Sequence, residues 1–151
     1  MKKEKSRPHP LAVILFMLYL LLLFYLLFFS ENYGRTMDSG YRYNLEPLKE
    51  IRRFWSNRES LGWGSVITNL AGNIVAFAPF GFFLPMLCRA GKNVFGCVAL
   101  SALFSLSVEA VQLVTKVGAF DVDDIMLNAV GGLAGFFAYQ LIWQPFRKKN
   151  R

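Results

Sequence analysis

The chain is predicted to be an all-α integral membrane protein. It is a bundle of four transmembrane helices, with both termini cytoplasmic and a short interfacial amphipathic helix in the first outer loop. Three observations predict this. Hydrophobic residues make up 54% of the 151, high for a soluble globule. The excess is gathered into four long apolar runs. The Lys and Arg residues behind the net charge of +7 collect at the chain ends and between those runs, as topology determinants do.

Residues 1–10 form a basic leader with Lys2, Lys3, Lys5 and Arg7, followed by Pro8 and Pro10. His9, the sole histidine, sits between the prolines as a solvated terminal residue without a partner at ligand spacing. Residues 11–29 are an uncharged run of about nineteen residues, close to the roughly 20 that span a hydrocarbon core. The run is too long for a signal-peptide core, and no small-residue cleavage site follows Phe28-Phe29-Ser30-Glu31, so it reads as an anchor.

Residues 30–64 are the one long polar connection. Within it, Glu46 to Trp55 reads as a short helix with Pro47 at its first position. Leu48, Ile51 and Trp55 would form its apolar face, in the headgroup plane or packed on the bundle.

Residues 65–144 carry the remaining spans, near Val66–Cys88, Asn93–Thr115 and Asp123–Trp143, and residues 145–151 are a basic tail. Arg89 and Lys92 lie in the second loop, and only Lys116 lies in the third. The positive-inside rule then puts both termini and the second loop in the cytoplasm of a multi-pass cell-membrane protein. Cys88 and Cys97 flank that loop and are expected to be reduced, and two cysteines are too few for a disulfide framework. Pro79 and Pro85 should bend the second span, freeing carbonyls for neighbouring helices to satisfy. Gly72, Gly131, Gly132 and Gly135 are expected to let helices approach closely.

The polar residues of the spans fall into two layers. Asn73, Glu109 and Asn128 lie roughly 6–8 Å to the outer side of their helix midpoints, counting 1.5 Å per residue. Asn69, Gln112 and Asp124 lie one turn further out, at roughly 12–14 Å. The spacings within each helix, i,i+4 or i,i+3, give each one a single polar face. A carboxyl at membrane depth must face partners or water, which makes Glu109 the candidate acid/base. Asp121, Asp123 and Asp124 are candidate ligands of a hard cation, whereas the lack of His or Cys at that level disfavours zinc.

The predicted ligand-binding set is therefore Asn69, Asn73, Glu109, Gln112, Asp121, Asp123, Asp124 and Asn128. A plainer account stands beside it: Asp121 as an N-cap, Asp123 and Asp124 favouring the helix dipole, and the amides as interhelical glue.

Several segments resemble the VanZ-like family of membrane proteins. Asn69-Leu70-Ala71-Gly72-Asn73, Phe77-Ala78-Pro79-Phe80-Gly81 and Leu84-Pro85 are similar to its second-span signature. Glu109-Ala110-Val111-Gln112 resembles its third-span Glu-x-x-Gln. Phe120-Asp121-Val122-Asp123-Asp124 with Asn128-Ala129-Val130-Gly131 resembles the opening of its fourth span. Asn44-Leu45-Glu46-Pro47-Leu48 resembles an Asn-Leu-x-Pro-Phe segment, with Leu for Phe. The likeness runs from about Tyr41 to Ile142 and would make residues 65–144 a VanZ-like core. Some members carry an Arg before the Phe-Asp pair; here Gly118 stands there, and Lys116 is the nearest substitute.

The family is named for a protein linked to low-level resistance to teicoplanin, a lipoglycopeptide antibiotic. The resemblance implies an envelope protein whose partners are the bilayer and a cell-wall lipid or glycopeptide. Alternatives are a membrane-embedded, metal-assisted hydrolase or transferase on lipid-linked substrates, or a small proton-linked transporter. No cofactor is implied. Nucleic acid is excluded as a partner, because no basic helix or aromatic platform accompanies the charge.

Overall fold

A computed structural model describes residues 10–29 and 40–144; the basic leader and tail lie outside the described residues. Four helices are long and apolar enough to cross a membrane, by length and composition: α1 (Pro10–Phe29), α4 (Trp63–Leu87), α5 (Val94–Thr115) and α6 (Val122–Ala138). The last continues through a π-helical turn, Tyr139–Trp143. Between α1 and α4 lie α2 (Lys49–Ser56) and α3 (Arg58–Leu61). A 3₁₀ turn, Ala90–Lys92, joins α4 to α5.

Helix α6 packs most extensively on α4 and next on α5, whereas α1 lies mainly against α4. Small residues set the closest approaches. A Cβ on Gly135 would overlap the Ala78 carbonyl of α4, and one on Gly132 would overlap the Ser101 side chain of α5. Gly72 departs from expectation, since a Cβ there meets nothing within 4 Å. Gly81, facing the Gly132 backbone, fills the role expected of it.

The apolar core adjoins these contacts. It joins Phe77, Phe80 and Leu84 to Cys97, Phe136 and Leu23. Phe80 stacks on Phe104 with ring centroids 4.7 Å apart. Pro79 and Pro85 both lie inside α4, as expected. One turn before Pro79, the Tyr19 hydroxyl of α1 donates to the Ala76 carbonyl at 2.8 Å. Cys88 and Cys97 are free thiols.

The polar loop differs from the all-helical expectation. Tyr43–Asn44 (β1) pairs in parallel with Phe120–Asp121 (β2), in the register Tyr43↔Phe120 and Asn44↔Asp121. This short ladder draws the chain before α2 onto the start of α6.

Helix α2 begins at Lys49, not at Pro47. Leu48 is its N-cap with φ 66°, so Pro47 belongs to the preceding turn rather than the first helical position. Its half-buried face is Glu50, Ile51 and Phe54, while Leu48 and Trp55 are exposed. The predicted apolar face is thus rotated. The rotation follows from how the helix start is held, as described next.

Candidate functional site

The site forms where the N-termini of α4 and α6 and the C-terminus of α5 meet the loop. Helix α6 starts there because Asp121 caps it, its Oδ1 accepting the Asp123 N–H at 2.9 Å. Asn44 Nδ2 donates to the same oxygen at 3.0 Å, tying β1 to the cap. Burial pushes the Asp121 carboxyl above the usual aspartate range, and these hydrogen bonds to the Asp123 amide and Asn44 pull it partly back.

Asp123 lies in the first turn of α6, as expected, but its hydrogen bonds go to another helix. Its side chain is 1% exposed and reaches across to the start of α2. Oδ1 accepts the Leu48 N–H, and Oδ2 accepts those of Glu50 at 2.8 Å and Ile51 at 3.2 Å. These are among the amides a helix leaves unpaired at its N-terminus, where negative charge is favoured. Their common acceptor fixes the rotation of α2 and turns Glu50, Ile51 and Phe54 inward.

The other predicted residues make contacts between elements. Glu109 is 4% exposed, and its Oε2 accepts the Asp121 N–H at 2.9 Å. Asn73 donates to Asp124 Oδ1, so the α4–α6 pairing runs diagonally between the two predicted layers. Asn128 donates to the buried Ser105 Oγ at 2.8 Å, leaving its own buried Oδ1 without a partner. Gln112 donates to the Leu27 carbonyl of α1 at 3.1 Å. Asn69 turns back to the Ser65 carbonyl of its own helix at 2.8 Å.

All eight predicted residues line one cavity of about 540 Å³. Asn73, Glu109, Gln112, Asp123 and Asn128 are buried, whereas Asn69 is exposed. The amides are therefore both interhelical glue and cavity wall.

The loop adds wall residues that sequence reasoning missed: Arg42, Asn44, Glu50 and Arg53. Glu50 and Arg53 are joined by a 2.7 Å ion pair. Their i,i+3 spacing was a readable signal of a shared face. Arg42 and Asn44 left none beyond the Asn-Leu-Glu-Pro motif. Lys116 does not supply a cation to the cavity; its ammonium lies over the Tyr41 ring, 4.9 Å from the centroid. Among the described residues, the cations on the wall come from the first loop, not the third.

The chemistry available is binding through oxygen acceptors inside and guanidinium groups at the exposed edge. Among the described residues, no Ser, Cys or His lines the cavity. Among the described residues, no three of His, Cys, Asp or Glu gather where they could hold a metal ion. The three-aspartate cation site expected from the sequence is therefore not assembled: Asp123 is already taken up by backbone amides and Asp121 by its cap.

The sequence pattern of the VanZ/LLP1 family matches residues 16–143. Over 136 residues the chain is 28% identical to Protein VanZ of Enterococcus faecium, covering 88% of this chain and 76% of that protein. No solved structure matches it.

Proposed function

The chain belongs to the VanZ/LLP1 family, and on that premise we propose that it binds an amphiphilic or cell-envelope ligand at the outer leaflet of the cell membrane. Its proposed consequence is reduced susceptibility to teicoplanin, by likeness to Protein VanZ. The observation that carries this reading is the cavity itself. Polar side chains of three apolar helices and the polar loop converge on one space of about 540 Å³, large enough for a headgroup or part of a small ligand. The orientation rests on the positive-inside count, which puts the loop and the cavity on the outer side.

Binding is favoured over catalysis because, among the described residues, the wall offers acceptors and cations but neither a Ser, Cys or His nucleophile nor a gathered metal-ligand set. Expression in a susceptible host tests the reading. Wild type should lower teicoplanin susceptibility, and Glu109→Gln and Asp124→Asn should return it toward that of the empty host. Equal susceptibility in all strains, with each protein confirmed in the membrane, would refute it.

A further inference from the structure

The cavity wall narrows the chemistry of what it can hold. Its interior carries Asn73, Glu109, Asp124 and Asn128, while the exposed Arg42 and Arg53 stand at the edge. Asn128 is 4% exposed, and its Oδ1 is buried with no donor. Buried polar atoms are nearly always paired, so an orphan on a cavity wall asks for a partner. Its neighbours on the wall, the Glu109 and Asp124 carboxyls, are also oxygen acceptors. Among the described residues, none donates to the Asn128 oxygen.

Three kinds of cationic donor can be compared. A hard metal ion wants several oxygens converging at about 2.0–2.6 Å. No such group forms among the described residues. A quaternary ammonium has no N–H and is held by aromatic faces. Among the described residues, Tyr43 and Phe54 are the aromatics on this wall, and the Arg53 guanidinium already lies over Phe54 at 5.1 Å. A primary ammonium is compact and offers three N–H donors, which suits acceptors spread around a cavity.

At the edge the chemistry reverses. Arg42 and Arg53 bring guanidinium groups, which match phosphate oxygens in pairs. Arg53 holds Glu50 through Nη2 and remains 57% exposed, so its fork still faces solvent. Leu27 of α1 also lines the cavity and gives an apolar flank beside the bilayer-length helix.

We propose that the cavity takes a zwitterionic headgroup of phosphoethanolamine type. Its primary ammonium sits on Asn128, Glu109 and Asp124, and its phosphodiester faces Arg42 and Arg53. This rests on the cavity being the ligand site proposed above. The same chemistry can come from a bilayer lipid or from a soluble phosphoethanolamine.

The test uses the full chain purified in neutral detergent, with binding read by native mass spectrometry and thermal shift. The probes are phosphatidylethanolamine, phosphatidylcholine, phosphatidylglycerol and free phosphoethanolamine. Phosphatidylethanolamine should bind roughly tenfold or more tighter than the other two lipids, as expected for charge-assisted hydrogen bonds the others cannot make. Glu109→Gln and Asn128→Leu should erase that preference, bringing phosphatidylethanolamine to the level of phosphatidylcholine. Arg53→Ala should weaken phosphatidylethanolamine from the other end.

Binding of free phosphoethanolamine would mark a soluble source; binding only with acyl chains would mark a lipid. Either supports the headgroup assignment. Equal binding of the three lipids by wild type overturns it, and this comparison needs no variant to fold. A cavity-filling Leu70→Trp separates the two readings. If it abolishes lipid binding that is indifferent to headgroup, the cavity stands and the zwitterion falls. If phosphatidylethanolamine still binds to it with full preference, both fall.

Discussion

Asp123→Ala is the sharpest perturbation of this architecture. The carboxylate accepts three backbone N–H groups at the start of α2, from Leu48, Glu50 and Ile51. Hydrogen bonds to a charged group contribute about 1.5–3 kcal/mol each, so simple addition would give roughly 4.5–9 kcal/mol. Addition overstates the loss, because α2 has no fully buried residue and can lift away to let water satisfy its amides. The loss is therefore limited to the docking free energy of α2, about 2 kcal/mol, at the upper end of measured N-cap losses.

The effect should be local. Amide hydrogen exchange across residues 49–61 should speed up by roughly 30-fold or more, since about 2 kcal/mol corresponds to that ratio. Exchange in α4 and α6 should change little. Asp123→Asn keeps one acceptor oxygen but turns an NH₂ toward the remaining donors, so it should fall between. Unchanged exchange over residues 49–61 in a folded Asp123→Ala protein would refute the claim that this side chain holds the helix.

Two further outcomes follow from the same structure. Gly132→Ala and Gly135→Ala place a Cβ against the Ser101 side chain and the Ala78 backbone, and should cost about 1–3 kcal/mol as overpacking in thermal unfolding. Gly72→Ala meets open space and should be neutral or stabilising by up to about 1 kcal/mol. Asp121 supplies a pH dependence. Its folded carboxyl is raised above its ordinary value by burial, so the folded state holds the proton more tightly than the unfolded chain. Its contribution is fully present below the ordinary aspartate value and is lost as pH rises through the raised one. Asp121→Asn, which keeps an acceptor for Asp123 and Asn44, should flatten that part of the stability–pH curve; an unchanged slope would rule this linkage out.

The sequence by itself determined the four helices, because a span must be about 20 apolar residues long and nothing else in the chain competes for that pattern. It also determined which residues would share a cavity. Polar groups in apolar helices are costly, so the i,i+4 and i,i+3 spacings of Asn69/Asn73, Glu109/Gln112 and Asp124/Asn128 already implied one inward face each. The six residues of these three pairs do line one space, together with Asp121 and Asp123, which depth and spacing had not placed.

Tertiary structure decided the partners. Asp123 sits in the first turn of α6 and read as a dipole residue, yet its acceptors face a helix more than seventy residues earlier in the chain. Asn73 could have met Asn128 at equal depth, but close packing of α4 on the glycines of α6 sets the register at which Asp124 is its neighbour. The cations of the cavity come from Arg42 and Arg53 because a two-residue ladder and one buried carboxylate bring the loop over the bundle. Such contacts depend on how side chains from distant segments satisfy one another's buried hydrogen bonds. Local periodicity carries no record of that.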